Sequence, residues 1–270
     1  MYKEYLPCDI LSPYIDKYWE YKGQPEYGTK ISIPPYGCTD FVLTLGEAVN
    51  DINNNLKMQP FHSYFVGPMN TYTELVTVTN SVHVFGIRFL PCGLYRFMGL
   101  PLNELVNHRC SASDLTNIFS NSFIERLCSQ RDPKRLTEII DELLIHHLSK
   151  HNPKTDRKIL FAVDKINQEK GMLSIHSLMT DICLCQRHFE RKFKIYTGYS
   201  PKEYSRIVKF WNAIDLLRNT SYDNLLSTAV LAGYYDVPHL SREIKRLSGN
   251  SPSSFLMLPS KIDTRIYFES

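Results

Sequence analysis

The first third of the chain contains three stretches in which apolar and polar positions alternate or β-branched and aromatic residues are concentrated. They are residues 14–21, 31–45 and 72–89. Residues that favour turns lie between them, at 34–37, 53–55, 67–68 and 80–81. Because alternation with a period of two is typical of a half-buried strand and no helical pattern intervenes, we expect an antiparallel sheet or a small barrel.

From about Leu100 the apolar spacing becomes that of helices. It predicts helical turns around 102–106, 113–119 and 123–127, and an amphipathic helix over 134–149 that opens at Asp132-Pro133. One face of this helix carries six apolar residues: Leu136, Ile139, Ile140, Leu143, Leu144 and Leu148. That face either packs onto its own domain or forms a dimer contact of coiled-coil type. His151-Asn152-Pro153 ends the helix and marks a predicted domain boundary.

The last third of the chain contains an internal repeat. Between His188 and Tyr204, six of the 17 positions are identical to the residue 51 places later, and four more are conservative pairs. An unrelated alignment of this length would give about one identity, so the two segments are copies of one structural unit.

Each copy predicts two short helices joined by a tight turn. The first helices are expected over 175–181 and 224–232, with Ser174 and Asp223 as N-caps, and the second helices over 186–196 and 237–247. Each second helix has one apolar and one basic face and is followed by a glycine, Gly198 or Gly249, suited to a left-handed C-cap. Two helices joined in this way, with a basic second helix, form a helix-turn-helix.

A longer helix over 201–218 is predicted between the two copies. Ser200 and Glu203 form a capping box at its start, and Pro201 occupies its first position. At 1.5 Å per residue this helix is about 27 Å long. Successive major grooves of B-DNA lie about 34 Å apart, so such a helix suits two recognition helices held about one turn apart.

Charge is distributed unevenly along the chain. Residues 1–150 carry 13 Lys and Arg against 16 Asp and Glu, whereas residues 151–258 carry 16 against 10. This asymmetry indicates a polyanion-binding domain in the C-terminal part. No apolar run approaches the length of a bilayer span, and the N-terminus lacks the pattern of a signal peptide. We therefore expect a cytoplasmic protein with no membrane partner, whose seven cysteines are reduced.

Two segments of the repeat resemble the DNA-binding domain of AraC/XylS-type regulators. They are RHFERKFKIYTGYSPKEY (187–204) and AGYYDVPHLSREIKRLSGNSPSSF (232–255). The front of the chain is similar to the N-terminal domain of one AraC subgroup, through YIDKYWEY, ISIPPYGCTDFVLTLG, YFVGPM and GIRFLPCGLYRFMGLPLNEL. The resemblance implies a bacterial transcription regulator with double-stranded DNA as its partner. It also allows an activator role, RNA polymerase as a partner, a small-molecule effector and a homodimer, and it implies no cofactor.

The resemblance assigns base contacts to six residues of the two recognition helices: Arg187, Glu190, Arg191, His239, Ser241 and Arg242. Arginine can donate to guanine O6 and N7, and glutamate can accept from cytosine N4. Phosphate contacts are expected from three lysines: Lys194, Lys209 and Lys245. Each of these residues could instead be solvated surface, and Arg242 could pair with Asp236.

Departures from the family pattern lie at the start of both recognition helices. Cys185 stands where Ser or Thr normally caps the first helix, at an expected cost of about 1 kcal/mol. Val237 and Pro238 replace the usual polar pair in the second helix and offer only apolar contact to a base. We therefore expect the first unit to discriminate between bases more strongly than the second.

Little in the sequence points to catalysis or to a metal. Cys183 and Cys185 supply two thiols with no second pair to complete a zinc site, and a redox role for them is not favoured. His62, His83 and His108 lack the H-x-H spacing of a metal-dependent cupin. We expect neither catalytic residues nor a bound metal.

Several residues of the front domain could line a ligand pocket. Asp40 and Arg88 are charged residues within predicted strands, where they either line a pocket or form a structural ion pair. Aromatic residues of the strands are further candidates: Tyr14, Tyr18, Trp19, Tyr21, Tyr36 and Phe41.

The predicted fold class is α+β. An antiparallel β-barrel-like sensor domain with short helices spans 1–110, a helical connector spans 111–153, and a tail spans 260–270. An all-α domain of two helix-turn-helix units bridged by a long helix spans 154–259.

The predicted function is sequence-specific regulation of transcription, modulated through the N-terminal domain, and not enzymatic. One alternative is a DNA-targeted enzyme of the alkylation-repair type, which needs a reactive cysteine beside a histidine that Pro91-Cys92-Gly93 does not supply. The other alternative is a non-catalytic module that binds RNA or protein.

Overall fold

The computed structural model describes most of the chain, namely residues 1–46, 49–51, 53, 55–115, 118–130, 132–151, 155–182, 184–219, 225–256 and 267–269. An N-terminal part contains two antiparallel sheets and short helices, and a C-terminal part is helical. This arrangement confirms the predicted α+β class. Among the described residues, no helix is long and apolar enough to cross a membrane.

The strands form two separate sheets. The six-stranded sheet has the order β1 (Tyr2–Tyr5), β2 (Ile15–Gly23), β9 (Val82–Phe89), β4 (Thr39–Thr44), β7 (Ser63–Val66) and β10 (Arg109–Ser111). The five-stranded sheet has the order β11 (Tyr267–Glu269), β3 (Lys30–Ile33), β8 (Thr73–Thr77), β5 (Val49–Asp51) and β6 (Leu56–Met58). Neighbouring strands are antiparallel, as predicted, but the described strands do not close into a barrel.

The six-stranded sheet is the middle layer of the N-terminal part because residues on both of its faces are apolar. On β9, Phe85 and Ile87 belong to the main hydrophobic cluster, which also contains residues of the N-terminal helices. Val82 and Val84 alternate with them and pack towards the five-stranded sheet. The layers are therefore sheet, sheet and helices.

The N-terminal helices are α1 (Gly93–Met98), a 3-10 helix (Leu102–Leu105), α2 (Ala112–Leu115), α3 (Asn121–Cys128) and α4 (Pro133–Lys150). Asp132 caps α4, since its carboxylate accepts a hydrogen bond from Lys134 N at 3.1 Å. All six residues of the predicted α4 stripe lie in or against the main N-terminal cluster. The stripe therefore packs onto its own domain, and a dimer would have to use another surface.

One of the three predicted domain boundaries can be located on the structure. The boundary at residue 110 falls inside β10, whose residues pair with β7 in the six-stranded sheet. The boundaries at 153/154 and 259/260 lie outside the described residues. Within the predicted tail, β11 pairs antiparallel with β3, so the chain returns to the N-terminal sheets at its end.

The C-terminal helices agree with the predicted repeat. They are α5 (Arg157–Gln168), α6 (Ile175–Ile182), α7 (Gln186–Thr197), α8 (Pro201–Asn219), α9 (Leu225–Leu231), α10 (Val237–Ser248) and α11 (Pro252–Leu256). Helices α6 and α7 form the first helix-turn-helix unit, and α9 and α10 form the second. The predicted cap Asp223 lies outside the described residues.

Local hydrogen bonds fix the ends of the C-terminal helices. Ser200 Oγ accepts from Glu203 N at 3.2 Å and Glu203 Oε2 accepts from Ser200 N at 2.8 Å, which confirms the capping box. Gly198 and Gly249 have φ of 82° and 78°, and their N–H groups close α7 and α10. A residue with a Cβ has a steric cost in this left-handed conformation, so glycine ends both α7 and α10.

The second unit is joined to α8 by a partly buried ion pair. Arg206 on α8 donates from Nε and Nη2 to Glu243 on α10, at 3.0 and 2.7 Å. Burial opposes ionisation of Glu243, but the hydrogen bonds and positive charge of Arg206 outweigh it and lower the pKa of the carboxyl. This bidentate contact fixes the orientation of α10 relative to α8.

Helices α7 and α10 differ in their N-caps, which generates a stability prediction. Cys185 makes no side-chain hydrogen bond at the start of α7, whereas Asp236 accepts from His239 N at 2.6 Å at the start of α10. We expect Cys185→Ser to raise the free energy of unfolding by about 0.5–1 kcal/mol because it supplies the missing acceptor. Urea unfolding of the full chain measures this change. Cys185→Ala is the matched control, and an equal gain from alanine would contradict the capping explanation.

The Arg206–Glu243 pair generates a prediction about pH. Since the folded-state pKa of Glu243 lies below its ordinary value of 4.5, its contribution to stability is present above that value and is lost as the pH falls through the folded pKa. Glu243→Gln should lower the free energy of unfolding by about 1–2 kcal/mol at neutral pH, and the deficit should shrink in acid. Exposed Glu169 provides the control substitution to Gln, and a deficit independent of pH would refute the ionic explanation.

Candidate nucleic-acid interface

Helix α7 presents a continuous basic stripe to solvent. Arg187, Arg191 and Lys194 are exposed and are spaced by four and three residues, which places them on one face. Phe189 and Phe193 on the opposite face are fully buried and hold the helix against its unit. The predicted contact residues of the first unit are therefore brought together.

Glu190 lies beside this stripe and is half-buried. Its carboxylate accepts a hydrogen bond from Gln186 Nε2 at 2.8 Å, one helical turn earlier. A carboxylate held in this position can accept from cytosine N4 while its negative charge discourages contact with phosphate.

Helix α10 repeats the geometry of α7 with different residues. Pro238, Arg242 and Lys245 are exposed at the positions that correspond to Arg187, Arg191 and Lys194. Arg242 Nε donates to Pro238 O at 3.3 Å, while the carboxylate of Asp236 caps the helix. The side chain of Arg242 thus stays on the exposed face, and the alternative pairing with Asp236 does not form.

The remaining predicted residues of the second unit are less accessible. His239 is half-buried and packs edge-on against Tyr234, with ring centroids 5.3 Å apart, and Ser241 is also half-buried. Lys209 of α8 donates from Nζ to Gly233 O and lies 4.3 Å from the ring centroid of Tyr234. Its ammonium group therefore holds the end of α9, whereas Lys194 and Lys245 extend freely into solvent.

The N-terminal domain covers the C-terminal ends of both α7 and α10. At α7, a Cβ on Gly198 would lie 2.2 Å from Pro68. At α10, Ser32 Oγ donates to Ser248 O at 2.9 Å and Thr71 Oγ1 donates to Arg246 O at 3.4 Å. These contacts leave the basic stripes exposed while fixing where each helix ends.

The turn between β3 and β4 docks on α8, the helix that joins the two units. Trp211 Nε1 donates to Pro35 O at 2.7 Å, and the Trp211 ring stacks on Tyr36 with centroids 4.8 Å apart and planes at 19°. A Cβ on Gly37 would lie 2.7 Å from the ring of Tyr204. The sequence predicted the turn and singled out Tyr36, but it did not predict that they contact Trp211. The hydrogen bond between Trp211 and Pro35 joins residues 176 positions apart, so no local pattern indicates it.

The charged strand residues that sequence reasoning singled out do form an ion pair. Arg88 Nε and Nη2 donate to Asp40 Oδ1 and Oδ2 at 3.0 and 3.1 Å, and Trp19 Nε1 donates to Asp40 at 3.1 Å. Asp40, Arg88 and Trp19 also line a cavity between the two sheets, together with Tyr21. Asp40 and Arg88 therefore form a structural ion pair and also line the cavity.

Three other aromatic residues that were predicted to line a pocket belong to the hydrophobic core of the N-terminal part. Tyr18 and Phe41 are fully buried in the main N-terminal cluster, and Tyr14 packs against it. His83 of β9 contacts Glu20 at 2.9 Å, so it belongs to a salt-bridge cluster on the sheet. Burial lowers the pKa of His83 in spite of the opposing hydrogen bond between its ring and the Glu20 carboxylate.

Cys92, the cysteine that the alkylation-repair alternative would need, is buried. Cys92 is 2% exposed and packs among residues of the first helix-turn-helix unit. Burial raises the pKa of its thiol far above the ordinary value, so Cys92 is not a thiolate nucleophile. Cys185 is exposed, Cys183 lies outside the described residues, and no group of three metal-ligating residues occurs in the described part of the chain.

Each part of the chain matches a known family. A family described as a helix-turn-helix domain matches residues 178–257, and a family described as a domain of unknown function, DUF6597, matches residues 3–111. No curated protein matches the sequence.

Solved structures of ToxT from Vibrio cholerae share the fold. The 1.65 Å structure in a P21 crystal form is 12% identical over 88% of this chain and 97% of that chain, with a TM-score of 0.50. An apo ToxT variant from strain SCE256 is 10% identical over 88% of this chain and 96% of its own, with a TM-score of 0.51. ToxT from strain O395 bound to (E)-4-(8-methylnaphthalen-1-yl)but-3-enoic acid is 12% identical, with coverages of 88% and 98% and a TM-score of 0.50.

The sequence motifs and the shared fold both place a helix-turn-helix domain after a sheet-rich domain. Residues 178–257 belong to a helix-turn-helix domain family of the AraC type, and the chain has the fold of ToxT.

Proposed function

We propose that this regulator reads a specific DNA sequence by inserting α7 and α10 into successive major grooves. The proposal is carried by the two exposed stripes, which occupy equivalent positions on the second helices of two units in one chain. Helix α8 has 19 residues and is therefore about 28 Å long. Its length suits two helices about one turn of B-DNA apart, a separation of about 34 Å.

The first unit contributes more to base recognition than the second. Arg187 and Arg191 each offer two donors to guanine O6 and N7, and Glu190 offers an acceptor to cytosine N4. The second unit has Pro238 in place of the first of these arginines, so its exposed candidate for base contact is Arg242, with His239 and Ser241 beside it.

Lysine contacts supply affinity without sequence information. Lys194 and Lys245 lie at the end of each exposed stripe, where an ammonium group reaches a phosphate. Lys209 is the third expected phosphate contact, and it must first exchange its hydrogen bond to Gly233 O. The C-terminal domain thereby neutralises several phosphates, so binding should depend steeply on salt.

The N-terminal domain modulates DNA binding through the contacts that fix α8 and the ends of α7 and α10. A change in how the β3–β4 turn docks on Trp211 would alter the relative orientation of the two recognition helices. A small organic acid bound to ToxT supports the idea that this fold responds to a small-molecule effector. RNA polymerase is the expected protein partner, and a homodimer would form through a surface other than the α4 stripe.

Arg187 and Arg191 provide the central test of base recognition. Arg187→Ala and Arg191→Ala should each weaken binding to the best site by about 1–3 kcal/mol and relax the base preference at one position. Selection of bound duplexes from a library with every position randomised measures both effects. Arg126→Ala, an exposed arginine of α3, is the matched control and should leave affinity and preference unchanged.

Two outcomes of the selection would count against the proposal. If the Arg187 and Arg191 variants lose affinity equally for all sequences, these residues contact phosphates and the first unit does not read bases through them. If the full chain selects no sequence, or prefers a structured RNA to duplex DNA, the proposed function itself fails.

Lys245 provides a test of the phosphate contacts. Lys245→Ala should weaken binding to all sequences about equally and reduce the slope of log affinity against log salt by about 1. Titrations of the full chain and the variant at several salt concentrations measure the slope. A sequence-dependent loss with an unchanged slope would instead assign Lys245 to base recognition.

A further inference from the structure

The first turn of α7 carries a hydrogen-bonded pair of polar side chains beside its basic stripe. Gln186 is the first residue of the helix, and its Nε2 donates to Glu190 Oε1 at 2.8 Å. Residues four apart lie on the same side of a helix, so both side chains flank Arg187 and Arg191 along one edge of the stripe. The N-terminal residues of a recognition helix are the ones that contact base edges. The pair therefore lies where α7 would meet the bases.

The carboxylate of Glu190 fixes the direction in which the amide of Gln186 points. An ionised carboxylate accepts hydrogen bonds and donates none, so the amide turns its NH2 group towards Glu190 and its carbonyl oxygen away. Gln186 is exposed, and its side chain makes no other hydrogen bond within the described part of the chain. Gln186 Oε1 is therefore available to an external donor.

The same carboxylate decides which of the two amide hydrogens it binds. One N–H of a glutamine amide lies on the same edge as the carbonyl oxygen, and the other lies on the opposite edge. Donation from the oxygen-bearing edge would bring Gln186 Oε1 towards the negative charge of Glu190, which is repulsive. The N–H on the opposite edge therefore donates to Glu190, and Oε1 and the second N–H face outwards side by side.

An acceptor and a donor side by side match one base in the major groove. Adenine presents a donor at N6 next to an acceptor at N7, and a glutamine amide binds both in a bidentate contact. Guanine presents acceptors at both O6 and N7, so it leaves the amide oxygen without a partner. The edge that Gln186 presents is thus complementary to adenine.

The second unit has no equivalent of this pair. The positions that correspond to Gln186 and Glu190 in the repeat are Val237 and Ser241. Valine has no side-chain donor or acceptor, so it cannot form such a contact with a base. Adenine recognition of this kind is therefore confined to α7.

We propose that Gln186 is a base-reading residue that recognises an adenine in the major groove, and that Glu190 is the positioning residue that fixes its amide. In this contact Gln186 Oε1 accepts from adenine N6, and the outward N–H donates to adenine N7. The second oxygen of Glu190 stays available to a neighbouring base. The inference rests on the proposed function, in which α7 lies in the major groove.

Selection of bound duplexes from a library randomised at every position is the first measurement. The full chain should select an adenine beside the positions that depend on Arg187 and Arg191, and Gln186→Met should relax that position alone. Methionine keeps the length and the helix propensity of glutamine but lacks both amide groups. Gln168→Met, at the exposed last residue of α5, is the matched control and should leave the selected sequence unchanged.

Two altered bases test the two hydrogen bonds separately. Purine lacks the 6-amino group of adenine, and 7-deazaadenine lacks its N7 acceptor. At the adenine of the selected duplex, each should weaken binding of the full chain about fivefold, the value of about one net hydrogen bond. Gln186→Met should bind the unmodified and the altered duplexes with equal affinity. Such a cycle isolates the contact between one residue and one base.

The positioning role of Glu190 needs its own variants. Glu190→Met removes the carboxylate and should reduce the preference for adenine at the Gln186 position, although Gln186 is intact. Glu190→Gln retains an acceptor and should restore part of that preference. Urea unfolding of both variants measures how much the pair stabilises α7. A pair that only stabilises the helix would change the free energy of unfolding and leave the base preference unchanged.

Three results would overturn the inference and leave the proposed function intact. An unchanged selected sequence in Gln186→Met would remove Gln186 from base recognition. An equal loss of affinity for all sequences would assign it to a phosphate. A base other than adenine at the relaxed position would show that the amide presents a different edge. The proposed function fails instead if the full chain selects no sequence, a result that is recognised before any variant is compared.

Discussion

The hydrogen bond from Trp211 Nε1 to Pro35 O joins the two halves of the chain, and the geometry of the DNA-binding domain depends on it. The same indole packs against the hydrophobic clusters of both helix-turn-helix units and stacks on Tyr36. An indole has a single polar donor, so burying it against apolar neighbours requires an acceptor at one defined position. The β3–β4 turn supplies that acceptor and thereby fixes the rotation of α8 about its axis.

The two ends of α7 and of α10 have different surroundings. The exposed stripes begin in the first turns of both helices. The C-terminal ends, closed by Gly198 and Gly249, lie against Pro68 and Tyr72 of the N-terminal domain. The exposed stripes and the contacts with the N-terminal domain therefore occupy different surfaces of the same two helices.

The charged side chains buried inside the β-sandwich are tolerated because each one pairs with a side chain of opposite charge. Asp40 pairs with Arg88 and Asp51 with Arg109, although all four residues are at most 9% exposed. Leaving one member unpaired would cost several kcal/mol, so the pairs hold the strands that carry them in register. The same pairing makes the cavity electrically neutral, which limits the chemistry of any molecule that enters it.

The sequence by itself determined the helices of the C-terminal domain closely, because their signals are local. The capping box at Ser200, the glycine C-caps and the apolar stripes act over three or four residues, and α7, α8 and α10 end within one residue of their predicted limits. The antiparallel strands around β2, β8 and β9 were also predicted, since alternation is a property of each strand alone. The exposed positions of Arg187 and Arg191 followed from the same helical periodicity.

Only the tertiary structure decided which of these elements meet. Short strands such as β5, β6 and β10 carry too few residues for a periodic signal, and they exist because a partner strand supplies their hydrogen bonds. The ion pair of Arg206 with Glu243 joins residues 37 positions apart, and the bond from Ser32 to Ser248 spans 216. Contacts across such distances depend on how whole layers pack, and no pattern within a few residues of the chain encodes them.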